Sequence, residues 1–313
     1  MLEQILTMSF LTAFLTAAVR MAAPLIYAGL GEVFLERAGI LNIGLEGVML
    51  GGAFFSFAGA YYGGGLLPGL LAGMAGGLLV SAIHGFLCIH LKQNQSVSGI
   101  ALNMFMLGLT SFLYKLMSTG QAYQQIGTFG TFKIPVLGSI LLIGNAFFNQ
   151  DILTYAAYGL IALTVVFYKK TSAGLAFTAV GEHPRAADAA GIPVYRYQWA
   201  AIAVNGVLGG IGGASLVLVQ LGKFTENMIS GRGYIALAAV ILGRYTPLGM
   251  FGAALLFGGA SALQIRLQAL GIAIPNQALA MLPYMITLLA LLGSIGKRSE
   301  PESLAVPYIR GSR

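Results

Sequence analysis

Apolar runs long enough to cross a lipid bilayer recur along almost the whole of this chain, with little charge between them. A helix needs about 20 mostly apolar residues to span a membrane. Segments near 6–29, 40–62, 66–91, 98–117, 151–168, 197–220, 233–246, 248–267 and 275–293 meet or approach that length. Only 9% of the 313 residues are charged; a soluble domain carries about 25%. So little charge cannot coat a soluble surface of this size. The expected fold is therefore all-α, a polytopic transmembrane helix bundle of about eight to ten spans. The seventh segment is short, ends at Arg244 and reads as a half-helix. The first holds Arg20 and Pro24, which predict a kink or a break.

One transmembrane domain over 1–296 and a C-terminal tail over 297–313 account for the chain. Two connections are long and polar, 118–150 and 169–197. With 169–197 on the cytoplasmic side and nine crossings, eleven of the 17 Lys and Arg fall inside and five outside, with Arg20 in a span. That bias fits the positive-inside rule and predicts an outer N-terminus and an inner C-terminus. The first segment lacks a basic leader and carries Glu3, so it is expected to stay in the mature protein. The net charge of +7 is scattered between apolar runs, a topology signal rather than a nucleic-acid patch. Cys88 is the only cysteine, so no disulfide forms within the chain.

Glycine makes up 44 residues. Gly65, Gly69, Gly73, Gly77, Ser81 and Gly85 recur every four residues and place a smooth stripe on one helix face. Another backbone can approach such a stripe closely. It suits packing within one bundle or, alternatively, a subunit interface. A second cluster lies at Gly206, Gly209, Gly210, Gly212, Gly213 and Ala214.

The chemistry of an enzyme is hard to find. There is no GxxxxGK[ST] phosphate loop, no HExxH or paired Cys/His set and no GxSxG elbow. No catalytic residue, metal site or cofactor is expected on this chain.

Three polar constellations interrupt the apolar background. The first is GLGEVFLERAGILNIGLEGVMLGG at 29–52. Glu32, Glu36 and Arg37 read as a charged loop at the membrane surface. Asn42 and Glu46 enter an apolar span, where a charge costs about 2.5–3.5 kcal/mol on insertion scales. They suit a structural hydrogen-bond role and a substrate path equally well. The second is KQNQSVSGIALN at 92–103, whose amides and hydroxyls fit interfacial capping or the lining of a path for an uncharged, hydrogen-bonding solute. Asn103 belongs to it, and Asn205 is a further polar residue within a span. The third is GEHPRAADAAGIP at 181–193. Pro184 suits a first helical turn, the alanines propagate it, Gly191 caps it and Pro193 stops it. An isolated helix of about two turns is marginal in water, so this one is expected to dock on its own membrane domain or on a soluble subunit.

Four stretches carry a family resemblance: GEVFLERAGILNIGLEGVMLGG at 31–52, NQSVSGIALNMFMLGLTSFL at 94–113, AVGEHPRAADAAGIPVYRYQWAAIAVNGVLGGIGGA at 179–214 and GRGYIALAAVILGRYTPLG at 231–249. The chain resembles the permeases of bacterial ABC importers for nucleosides and simple sugars, in the superfamily that also holds branched-chain amino-acid permeases. The resemblance implies a coupling helix in 181–193, with Gly181, Glu182, His183, Pro184, Arg185, Ala187, Asp188 and Gly191 meeting an ATP-binding subunit. His183 departs from the family, where many relatives have Asn. ATP and magnesium would sit on that partner. The resemblance further implies a second, related permease chain, an external substrate-binding lipoprotein and a place in the bacterial inner membrane. The two permeases would form the path, near polar groups such as Asn42, Glu46, Asn103 and Asn205. Two other classes fit the composition: an ion-coupled secondary transporter with Glu46 as relay, and a membrane-embedded scaffold.

Overall fold

The computed structural model describes residues 8–118, 125–135, 138, 140, 143–269, 278, 279, 281–293 and 299–311. Each of the nine apolar segments holds a helix. They are α1 (Met8–Glu36), α2 (Leu45–Gly63), α3 (Leu66–Gly85) and α4 (Gln95–Ser118), then α6 (Ile152–Lys170) and α9 (Val194–Ser215), and finally α10 (Arg232–Leu242), α11 (Pro247–Ala269) and α12 (Leu282–Gly293). Between them lie α5 (Ile143–Phe148), α7 (Ser172–Glu182) and α8 (Pro184–Ala189). One antiparallel pair, β1 (Thr131–Lys133) with β2 (Asn149–Asp151), sits in the long connection before α6.

Six of the described helices are long and apolar enough to span a bilayer: 10–36, 66–90, 95–118, 152–170, 194–221 and 247–269. The eight to ten spans expected also counted α2, α10 and the ninth segment, only part of which is among the described residues. α2 is long enough, at 19 residues, but its five glycines and Glu46 dilute its apolar character. α10 has 11 residues, the half-helix that its short apolar run implied. Parts of the first and ninth segments, of the 118–150 connection and of the tail lie outside the described residues, including Lys297, Arg298 and Arg313.

α1 is not broken. It continues through Pro24 as one helix of 29 residues. Proline has no N–H, so the carbonyl four residues earlier loses its helical donor. Gln220 Nε2 supplies one, 3.1 Å from the Arg20 oxygen. Gln220 lies in a π-helical segment, Leu216–Leu221, that prolongs α9. In lipid, where water cannot satisfy a freed carbonyl, a neighbouring side chain of this kind lets a membrane helix keep its proline.

The centre is built from α1, α2 and α9, and glycine makes it possible. A Cβ on Gly213 would overlap the Met49 carbonyl, and one on Gly52 would sit 2.5 Å from Gly210 Cα. α3 joins the same contact, since a Cβ on Gly77 would overlap the Gly206 carbonyl and one on Gly73 would lie 3.0 Å from the Gly52 oxygen. A Cβ on Gly69 would lie 2.9 Å from the Ser56 oxygen, whereas one on Gly65 would meet only Pro68 of its own helix. Gly69, Gly73 and Gly77 thus serve packing inside this chain. Apolar side chains gain little by leaving lipid for protein, so close backbone approach is what holds such helices together. Burial divides the bundle into layers: 72% of the α9 window is buried, against 28% for those of α4 and α6. The exposed faces of α3 and α4 are apolar, with Leu71, Leu79, Met104, Phe105 and Phe112 outward. They suit contact with lipid or another membrane chain.

Candidate functional site

The chain bends between α1 and α2, at residues 37–44. Gly39 adopts φ +83°, a conformation that side chains disfavour. Gly44 lies against Gly99 of α4, where a Cβ would come 3.1 Å from the Gly99 oxygen. The bend is pinned from both sides. Leu41 N donates to Gln95 Oε1 at 2.7 Å, and the Leu41 oxygen lies 3.1 Å from His84 Nε2. Asn94 caps α4 by accepting from Ser96 N and Val97 N, so the polar run at 92–103 does cap a helix.

Behind the bend sits a closed knot. Glu32 Oε1 accepts from Asn42 N at 3.0 Å, and Glu32 Oε2 accepts from Asn205 Nδ2 at 2.7 Å. Asn205 Oδ1 in turn accepts from Asn42 Nδ2 at 3.0 Å and Ser81 Oγ at 3.1 Å. All four residues are 0% exposed. Glu32 and Glu36 are therefore not a surface loop, as their sequence suggested; they lie buried in the last turns of α1, because the helix runs past the apolar segment into the protein interior. Arg37 turns to the Tyr245 carbonyl, 2.8 Å away, and lies 4.6 Å over the Tyr168 ring.

In front of the bend lies a seam that reaches the surface. Glu46, in the first turn of α2, accepts from Gly231 N and Gly233 N, each at 2.7 Å. It thereby holds the N-terminus of α10, the end where unpaired amides favour a carboxylate. Gly233 is required there, since a Cβ would lie 2.5 Å from Glu46 N. Asn103 Oδ1 accepts from Gly47 N at 2.7 Å, while its Nδ2 donates to the Ile43 oxygen at 2.9 Å and to Tyr234 Oη at 2.8 Å. Glu46 and Asn103 are each 9% exposed, and Tyr234 is 46% exposed. Asn103 lies about 12 Å along α4 from its start, well inside the helix. A half-exposed tyrosine bonded to an asparagine at such depth suits a wet path or a polar partner better than hydrocarbon.

Of the four residues proposed for a path, then, the structure separates Asn42 and Asn205, locked in the knot, from Glu46 and Asn103 at the seam. Tyr234 does not stand out in the sequence, because a tyrosine in an apolar span contrasts with its neighbours less than a charge or an amide does. Its place in the GRGYIALAAVILGR block was the available signal. Among the described residues, no group of three or more His, Cys, Asp or Glu gathers as a metal site would require.

A third cluster forms at the end of the bundle near Gly39. α8 carries Pro184 at its start, and Gly191 follows it at φ +84°. Glu182, His183, Arg185, Ala186 and Gly191 are exposed, and Asp188 is half-buried. Ala187 is 4% exposed and packs with Val180, Val194 and Tyr308. It faces this chain and not an outside partner, because the six-residue helix turns that side onto the bundle. Gly181 packs on the bend, where a Cβ would overlap the Arg37 carbonyl. The preceding α7, capped by Thr171 through Gly174 N, was hidden in a stretch that read as loop. The tail is not separate either: residues 301–310 lie against α7, α8 and the bend.

Residues 14–292 match the family described as the branched-chain amino acid transport system, permease component. The chain belongs to this family. The permease is 42% identical to the guanosine ABC transporter permease protein NupQ of Bacillus subtilis (strain 168), over 97% of its own length and 98% of that protein's. It is 37% identical to the nucleoside ABC transporter permease protein NupC of Lactococcus lactis subsp. cremoris, covering 92% of this chain and 94% of that one. Its fold is similar to that of an ABC transporter solved in an inward-facing conformation, with a TM-score of 0.53 at 16% identity over 93% of this chain and 88% of the other. The permease is thus a multi-pass membrane subunit of the ABC type.

Proposed function

We propose that this permease imports nucleosides as half of an ATP-driven complex in the bacterial inner membrane. The observation that carries the reading is its similarity to a guanosine permease over nearly the whole of both chains. The seam fits that class of solute: Asn103 and Tyr234 offer neutral hydrogen-bonding groups and an aromatic ring, as a nucleobase and a ribose require. The solute passes along the seam, between this chain and a second permease seated on its exposed apolar face. ATP binds and is hydrolysed on a separate subunit, which docks on the exposed side of α8. An external binding protein delivers the nucleoside. Glu46 serves as the anchor of α10. Both of its oxygens accept backbone amides, which leaves the ion-driven alternative, with Glu46 as relay, the weaker reading.

The complex, purified with its co-purifying chains and placed in liposomes, is expected to take up guanosine or another nucleoside only with ATP. Uptake by this chain alone under an ion gradient would overturn the proposal. Ala186→Arg, on the exposed side of α8, is expected to weaken ATPase docking. Ala187→Arg is expected to unfold the helix from its seat as well, so it is the poorer probe of coupling.

A further inference from the structure

The described tail does not trail from the bundle, and its contacts have a pattern. Ser303 N donates to the Gly181 oxygen at 3.0 Å, and Ser303 Oγ donates to the same carbonyl. That carbonyl lies where α7 gives way to α8. Two residues on, Ala305 takes φ +63° and donates its N–H to the Gly39 oxygen at 3.2 Å. Gly39 is the left-handed residue of the α1–α2 bend, and a Cβ there would stand 2.9 Å from Ser303 Oγ. Farther along, Tyr308 is buried against Ala187 and Val194, its backbone carbonyl accepts from Lys92 Nζ at 2.6 Å, and Arg310 Nε reaches Asp188 Oδ2 at 3.2 Å. The tail therefore ties the start and the last turn of α8 to the bend and to the α3–α4 turn that carries Lys92.

We propose that residues 301–310 are a transmission strap, which locks α8 to the bend at Gly39 so that a displacement of α8 is delivered to the seam at Glu46. The link is short. Gly39 lies on the same bend as Leu41, which is pinned to Gln95, and as Asn42, which is pinned to Glu32; α2 begins at Leu45, one residue before Glu46. Without the strap, the bend meets α7 at Gly181 and in the apolar cluster of Phe177 with Ala38 and Ile40, and these contacts lie ahead of α8. The strap adds contacts at both ends of α8, which turns a pivot into a rigid unit. Ser303, Tyr308 and Arg310 are positioning residues in this arrangement and touch no solute. The inference rests on the ATP-driven reading above.

The test uses the reconstituted complex and reads nucleoside uptake per ATP hydrolysed. Deletion of 300–313 and the double substitution Ser303→Ala with Arg310→Ala are both made, the second in case the truncated chain is unstable. The strap predicts unchanged co-purification of the ATP-binding subunit, continued ATP hydrolysis, and about a tenfold fall in uptake per ATP. Ser303→Thr, which keeps a hydroxyl for the Gly181 carbonyl, should retain the wild-type ratio. An unchanged ratio in the double variant overturns the strap, whether the two rates stay normal or fall together, since a merely stabilising tail would lower both. ATP-independent uptake by the wild-type complex would overturn the underlying reading instead.

Discussion

The knot at Glu32 and the seam at Glu46 are made of nearly the same parts. Each has one carboxylate taking two N–H donors, with asparagine side chains bonded across elements, Asn42 and Asn205 in the knot and Asn103 in the seam, and the two flank the same bend. They differ in what surrounds them. Glu32, Asn42, Ser81 and Asn205 are all 0% exposed, with α1, α3 and α9 closed around them. Tyr234, at the seam, keeps 46% of its surface open, and its hydroxyl takes one donor from Asn103 with room for more. A polar group in an apolar span is thus no single kind of object. Enclosed and paired, it fixes the arrangement of helices. Paired but open on one side, it remains available to a solute.

The sharpest way to break this contrast is Asn205→Leu. It leaves Glu32 Oε2 and Ser81 Oγ without that partner in a closed interior and is expected to cost about 3 kcal/mol or more. Thermal unfolding in detergent measures it, and an unchanged midpoint would mean that the knot is not structural. Glu46→Ala comes next. It strips the acceptor from two amides at the start of α10 and is expected to cost about 2 kcal/mol, with uptake falling because α10 loses its anchor. Glu46→Gln, which keeps one acceptor oxygen, should lose about half as much. Full stability and uptake in Glu46→Ala would remove the seam from the pathway. Tyr234→Phe is the smallest in stability, below about 0.5 kcal/mol. If the hydroxyl meets the solute, the half-saturating nucleoside concentration should still rise about fivefold, the equivalent of one hydrogen bond. Equal effects of Asn205→Leu and Tyr234→Phe on stability would erase the distinction between the two regions.

α8 and the tail extend the lesson. Pro184, the alanines and Gly191 announced a short helix with both of its ends, and such a helix is there. Which side of it faces outward was not legible. Six residues give too little periodicity to reveal a buried face, and Ala187 is one of three alanines on this helix. α7 was missed for a related reason: Lys169, Lys170 and Thr171 before it look like the start of a polar loop, yet Thr171 caps a helix.

By itself, the sequence determined that this chain crosses a membrane many times, where its apolar segments lie and, through its motif blocks, which family of permeases it joins. These properties depend on local composition: the length of an apolar run, the residues at a helix end, and the small side chains on one face. The tertiary structure alone decided which polar residues are locked and which are open, that α1 survives Pro24, and that the tail packs against α7, α8 and the bend. Each of these depends on a partner more than a hundred residues away: Asn205 for Glu32, Gln220 for the Arg20 carbonyl, Ser303 for Gly181. Satisfying a polar group in a low-dielectric interior is a property of the pair, and one strand of sequence displays only half of it.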